Sequence, residues 1–401
     1  MRHTDRPRPV SRRAPAVSHS GTRPSLSLTG TLAGAAGCVI PGRTTGLIAL
    51  AALLAFGAAA QASGPGPETV VGAHIVSRVN GSEALADDQP KRTRSDVGVT
   101  LFAVIETRQG ATRVFYTDAG SAVRIAGRKR ATLPLDQAPD VTLSWFKIEP
   151  TVDTMSNTES GSFRFEPIDY SDVKVPGWAG RRAVSADVKP TLTPYRGSSK
   201  FEHGIGTMRY KLVADTGDGQ ISSPGIEARR GRGSGGLSHR VHRVSLRRDD
   251  TYLGMMTELY GQPYIWASGG ATDRKHQSEH LEGADCADLM IYGARRLGYT
   301  VSYTWTGGLT DFARVLHKGT LRDDGVYVDR RGEPIPFTAV GDLILFPRHV
   351  GALARDRGVK GVLDSADVMM HTLFASPREQ AIGDTSYGQM DIEILRWKQR
   401  R

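Results

Sequence analysis

Cys286 and His349 are the residues of this chain best suited to covalent chemistry together, with His371 as a third member. A thiol becomes a nucleophile when a base takes its proton, and imidazole is the side chain whose basicity matches neutral pH. A third group must then hold that imidazole in one tautomer and one orientation. Cys286 follows Asp285, a good helix N-cap, and so falls in the first turn of a predicted helix. Leu289, Met290, Gly293 and Leu297 follow at spacings of three and four, and Gly298 closes the segment. A thiol at that position meets the positive end of the helix dipole, which is expected to lower its pKa. The backbone N–H of Cys286 would face a developing oxyanion. His349 opens an apolar run ending at Ala354, just after the apolar segment Asp342 to Phe346. A tight turn between two strands would fix it at the mouth of a sheet. His371 ends the run Asp367 to His371 and suits the orienting role on an adjacent strand, while Asp364 and Asp367 are the other candidates for it. The competing interpretation of Cys286 is a buried structural thiol.

Four segments carry these residues in order. They are Gly261-Gln262-Pro263-Tyr264-Ile265-Trp266, then Gly283-Ala284-Asp285-Cys286-Ala287-Asp288-Leu289-Met290, then Gly341 to Phe346 running into His349-Val350-Gly351, and finally Val368-Met369-Met370-His371. Taken together, the ordered set resembles the NlpC/P60 cysteine peptidases of the cell wall, over roughly residues 250–376. The resemblance implies an α+β, papain-like domain in which N-terminal helices pack on an antiparallel sheet. It implies hydrolysis of a peptidoglycan stem-peptide amide, typically between D-glutamate and diaminopimelate, by Cys286, His349 and His371 through an acyl-thioester. It places Tyr264 near the oxyanion site, and Asp285 and Asp288 in the substrate-binding set. The expected partner is peptidoglycan or a wall-derived peptide. That chemistry needs no metal and no cofactor. The chain departs from the family pattern around the cleft. Ala287 and Asp288 stand for the usual Ser-Gly, and the Trp-Gly-Gly is opened to Trp266-Ala267-Ser268-Gly269-Gly270. Polar inserts occupy Ala271 to Glu282 and Arg355 to Ala366. Two other readings stand beside this one: an amidase or acyltransferase of the same fold on another substrate, and a non-catalytic cell-wall-binding protein with a degenerate site.

The rest of the chain must deliver and position these residues. Gly46 to Ala60 is an apolar run of signal-peptide length, followed by Ala60-Gln61-Ala62. Residues 1–62 are therefore expected to be a leader cleaved after Ala62, giving a secreted or periplasmic protein with no stable transmembrane segment. A lipoprotein anchored at Cys38 is the alternative. Once the leader is gone, Cys286 is the single cysteine left. Of the formal charge of +10, the leader carries +6 and the segment Arg229 to Arg248 carries +7, so the remainder is near neutral. That balance argues against a nucleic-acid-binding fold, whose charge should lie on a structured face. Residues 63–95 are expected to be a flexible linker and 229–248 a Gly/Arg tether. Between them, 96–228 show short strands, Trp145 and the turn signals Gln109-Gly110 and Asp218-Gly219. This predicts a β-sandwich of immunoglobulin or fibronectin-III type, followed by the hydrolase domain at 249–401. Asp215-Thr216-Gly217 reads as part of a turn, and His276, Glu279 and His280 as a solvated loop.

Overall fold

The computed structural model describes residues 67–159, 162–163, 168–192, 204–230, 236–270 and 272–398. The expected leader, with Cys38 and Ala62, lies outside the described residues. The first half is built of β1 (Thr69–Val79), β2 (Lys91–Arg94), β3 (Val99–Gln109), β4 (Thr112–Tyr116), β5 (Thr142–Pro150), β6 (Thr154–Ser156), β7 (Tyr170–Lys174), β8 (Ala183–Ser185), β9 (Gly206–Asp215), β10 (Gln220–Ser222) and β11 (His242–Arg247). One sheet runs β1-β3-β8 with β4 beside β3. A second runs β7-β5-β9-β11-β2 with β10 beside β9. Ile75, Leu101 and Ile105 from the first share a core with Trp145, Tyr210 and Leu246 from the second. Trp145 is fully buried, and its indole N–H donates to the Arg181 carbonyl at 2.8 Å, so the large ring leaves no polar atom unpaired. The Asp215-Thr216-Gly217 triplet lies at the β9–β10 turn, where Asp215 accepts from the Gly217 N–H at 3.0 Å.

The strands extend well past the bounds expected for this module. β1 and β2 lie in the segment expected to be a linker, and β11 in the expected tether. Val244 and Leu246 of β11 join the core shared by the two sheets, at alternate positions from Arg243, Ser245 and Arg247, a strand pattern that the charge count concealed. The arginines are engaged too: Arg243 donates to the His280 carbonyl, and Arg230 pairs with Glu282 at 2.6 Å.

The second half begins with the five-residue α1 (Tyr252–Met256), capped by Thr251, which accepts from the Gly254 N–H. It continues through β12 (Tyr264–Trp266), α2 (Cys286–Arg296), β13 (Ala313–Leu321), β14 (Tyr327–Val328), β15 (Leu343–Phe346), β16 (His349–Arg355), β17 (Val368–His371), β18 (Arg378–Ala381) and β19 (Ile392–Trp397). These last seven strands form one sheet, ordered β14-β13-β19-β15-β16-β17-β18, with every pairing antiparallel. Leu289 and Met290 of α2 pack with Val350, Ala352 and Met370 on one face. Phe346, Leu353, Met369 and Ile394 form a second core on the other.

The expected papain-like α+β fold with N-terminal helices is corrected here. The described residues are mostly β, with 42% in strands and 12% helical. Gly261, Pro263 and Gly269-Gly270 interrupt the backbone after α1, so among the described residues α2 alone sustains a helical period through three turns. The insert expected to be a solvated loop is also corrected: His276, Gln277, Ser278 and Glu282 are buried. The first half holds it in place. β6 pairs in parallel with β12, and the Arg209 guanidinium donates to the carbonyls of His280 and Leu281 at 3.0 and 2.9 Å. The described residues accordingly belong to one unit. Among the described residues no helix is long and apolar enough to cross a membrane.

Candidate active site

Cys286 is the first residue of α2, and Asp285 is its N-cap, accepting from the Asp288 N–H at 3.0 Å. The thiol is buried at 5% exposure. Backbone N–H groups of Val350 and Ala287 donate toward it and favour the thiolate. Burial, followed by the neighbouring carboxyls of Asp285 and Asp288, outweighs them and pushes the thiol well above its usual range. The expected low-pKa cysteine is therefore corrected. A helix dipole contributes about 1 kcal/mol near its end, less than the cost of burying an anion beside two acids. The acids shift the same way. Burial raises Asp285 to about 6, and burial together with Asp285 raises Asp288 well above the usual carboxyl range. Asp288 accepts from the Ser268 hydroxyl, and His276 Nε2 lies 3.7 Å from the same carboxyl. Tyr264 is buried on β12. Burial, then the nearby Cys286 and Asp285, keep its phenol protonated. Thus Tyr264, Asp285 and Asp288 gather around the thiol.

His349 and His371 come from neighbouring strands. β15 and β16 form a hairpin in which Phe346 pairs with His349 across Pro347-Arg348. Ala352 pairs with Met370, which sets Gly351 beside His371. A Cβ at Gly351 would sit 3.3 Å from the His371 Cβ and 2.7 Å from the Met369 sulfur, so a side chain there would crowd the pair. His349 Nε2 lies 2.9 Å from His371 Nδ1. His371 Nε2 in turn lies 3.1 Å from Gln380 Oε1. The direction of this chain follows from its far end. Gln380 Oε1 accepts from Arg378 Nε at 3.0 Å, while Gln380 Nε2 donates to the Asp384 carbonyl at 2.7 Å, which orients the amide. His371 Nε2 must then carry the proton, its Nδ1 must accept, and His349 Nε2 must donate. The lone pair of His349 falls on Nδ1, which is buried and has no hydrogen-bond partner.

Burial, the neighbouring His371 and Arg378 lower His349 to about 2, and burial with Arg378 lowers His371 to about 4. Both rings are neutral at physiological pH. The His349 ring also stacks on Tyr387, with centroids 4.8 Å apart. Thiol and base meet through the backbone, since the Val350 N–H that donates toward the thiol belongs to the residue after His349. Cys286 and His349 are not hydrogen-bonded to each other in this arrangement. Asp364 and Asp367 stand apart, bonding the N–H groups of Val359 and Ala366 and of Arg357 and Asp364 within their own loop.

A cleft of about 760 Å³ opens over Cys286, Asp285 and Asp288, walled by Trp266, His276, Tyr303, Trp305 and Arg348. Part of its wall is held from the first half of the chain. Ala267 takes a φ of +55°, a left-handed conformation costing about 1 kcal/mol for a residue with a Cβ. Asn157 secures it, donating to the Ala267 carbonyl at 3.2 Å and to Gln277. Gln380, Arg378, Tyr387 and Asn157 escaped sequence reasoning because each sits in a segment with no apolar period or motif. Only the fold brings them to the site. Comparisons with protein-family models, curated proteins and solved structures find no match to this chain.

Proposed function

We propose that this chain is a cysteine-dependent amide hydrolase of the bacterial envelope, exported by its leader and acting on peptidoglycan stem peptides. The observation that carries this reading is the direction of the chain Gln380–His371–His349, which leaves an unpartnered Nδ1 lone pair on a neutral imidazole beside the residue that touches the thiol. A general base needs an available lone pair and a fixed tautomer. Thiol and imidazole both rest neutral, so proton transfer accompanies attack and no ion pair is stored beforehand. The hydrogen bond between them is to tighten when substrate enters, as is common for catalytic contacts absent from a free enzyme. Cys286 Sγ attacks the amide carbon while His349 Nδ1 takes the thiol proton. The same nitrogen returns it to the leaving amine, and water then hydrolyses the thioester. His371 orients His349. The N–H groups around Cys286 and the Tyr264 phenol are suited to the developing oxyanion. The four ordered motifs support the family assignment and the γ-D-glutamyl-diaminopimelate bond as the target.

The test is digestion of purified peptidoglycan by the wild-type chain and by Cys286→Ala, with products read by mass spectrometry. The expected result is release of peptides with a new amino terminus at diaminopimelate from the wild type alone. Equal release by both proteins would rule out the nucleophile. No release by either, with Cys286 unreactive toward a thiol probe at neutral pH, would favour a non-catalytic binding protein.

A further inference from the structure

The cleft has a feature that amide hydrolysis does not use. Trp305 and Trp266 both line it and remain exposed, at 75% and 42%. Both indoles line the same cleft, and aromatic rings on a cleft wall are common ligand-contact surfaces. Trp305 is held rather than loose. A Cβ on Gly307 would lie 2.2 to 2.6 Å from the six-membered ring of Trp305, so the indole rests against a glycine backbone that a side chain would displace. A Cβ on Gly308 would meet the Thr304 hydroxyl at 2.2 Å, which fixes the neighbouring residue in the same way. The segment Thr304-Trp305-Thr306-Gly307-Gly308 thus presents one ring face in a set orientation.

Beyond Trp305 the cleft continues. Thr306 and Pro347 line both it and a second cavity of about 540 Å³, which also carries Thr310, Thr320, Asp329 and Arg330. The shared ridge suits a ligand longer than either basin. Charge does not select an ion here. Lys318 of the second cavity is paired with Glu393, and Arg330 has Asp329 beside it in sequence. The threonine hydroxyls, the Asp391 carboxylate and a flat apolar ring are among what remains. A pyranose fits that combination, because its axial C–H bonds form an apolar face for stacking and its equatorial hydroxyls reach polar groups at the edge.

We infer that Trp305 is the stacking platform of a saccharide subsite, on which an N-acetylhexosamine ring of the glycan strand rests while its stem peptide enters the cleft. This assignment of ligand rests on the peptidoglycan reading above, and it makes glycan-linked peptide the preferred substrate over free peptide.

The experiment uses the full chain carrying Cys286→Ala, titrated with a β-1,4-linked N-acetylglucosamine tetramer and followed by tryptophan fluorescence. Saturable quenching is expected, weakened about tenfold by adding Trp305→Ala and restored to within about threefold by Trp305→Phe, which keeps a ring face. Circular dichroism of the variants checks folding, which the exposure of Trp305 should leave intact. Absence of saturable binding, or binding indifferent to Trp305→Ala, overturns the subsite. In the Cys286-containing chain, Trp305→Ala is expected to slow release from intact peptidoglycan about tenfold more than release from a free stem peptide. Equal losses on both substrates would assign Trp305 to the peptide and overturn the proposal. Because the tetramer titration needs no catalysis, failure of the hydrolase reading and failure of the saccharide subsite are told apart.

Discussion

The helix side and the sheet side of the site reach the same electrical state by opposite routes. On the helix side, Cys286, Asp285, Asp288 and Tyr264 are all acids, and burial raises every one of them. On the sheet side, His349 and His371 are bases, and burial beside Arg378 lowers both. Each side is therefore driven toward its neutral form. In a low-dielectric site that is the cheaper resting state, since an ion pair must recover the desolvation of both partners. The difference lies in what fixes the protons. The sheet side has a directed hydrogen-bond chain ending on an amide. The helix side has a pair of carboxyls sharing one neighbourhood, and its protons are governed first by burial, with repulsion from Asp285 adding at Asp288.

The largest expected effect tests whether the two sides act as one unit. Cys286→Ala, His349→Ala and the double variant should each lower kcat by about 10³-fold or more on the same substrate, with the double no worse than the singles. Multiplicative losses would mean that thiol and imidazole act separately. The next effect concerns the hydrogen-bond chain. His371→Ala should lower kcat about 100-fold, and Gln380→Leu about tenfold, with KM little changed. Gln380→Glu keeps the acceptor for His371 Nε2 and should recover most of the loss while moving the acid limb of the pH–rate profile upward. An unchanged profile across all three would remove Gln380 from the mechanism.

A smaller effect separates the two sides by pH. His349 and His371 bind protons less readily when folded than when unfolded, where their ordinary value is 6.5. Their contribution is complete above about 6.5 and is lost as pH falls, toward about 4 for His371 and about 2 for His349. Asp285 has the opposite sign. Its folded value of about 6 exceeds the ordinary 3.8, so its contribution is complete below about 4 and is lost as pH rises through about 6. Urea midpoints between pH 4 and 8 should show Asp285→Asn, which keeps a capping acceptor, flattening the loss at rising pH, and His371→Asn flattening the loss at falling pH. The reverse assignment would break the comparison. The smallest effect is Asp367→Asn. Asp367 is engaged within its own loop, so activity and its pH profile should stay within about twofold of wild type. A loss comparable with His371→Ala would return the orienting role to the aspartate.

Local chemistry in the sequence carried much of the site. Asp285 as N-cap, the apolar spacing behind Cys286 and the two apolar strands ending near His349 and His371 depend on neighbours within a few residues. Each has its expected local structure. Segment boundaries were less legible. β1, β2 and β11 hide in stretches whose arginines, prolines and glycines dominate composition, because strand identity there depends on partners far along the chain. The α+β expectation failed for a related reason. A motif specifies the residues near a thiol, while the number and length of helices around it depend on glycines and prolines spread between the motifs.

By itself the sequence determined which residues could attack, which could take a proton, and where along the chain they would begin a helix or a strand. Tertiary structure alone decided the protonation of the thiol, because the cost of burying a charge depends on everything packed around it. It alone decided the tautomer of His349, because that is set by Gln380 and Arg378 on a strand with no signal of its own. It also decided that the first half of the chain holds the segments around the cleft, through Asn157 and Arg209, since hydrogen bonds across more than fifty residues leave no local trace.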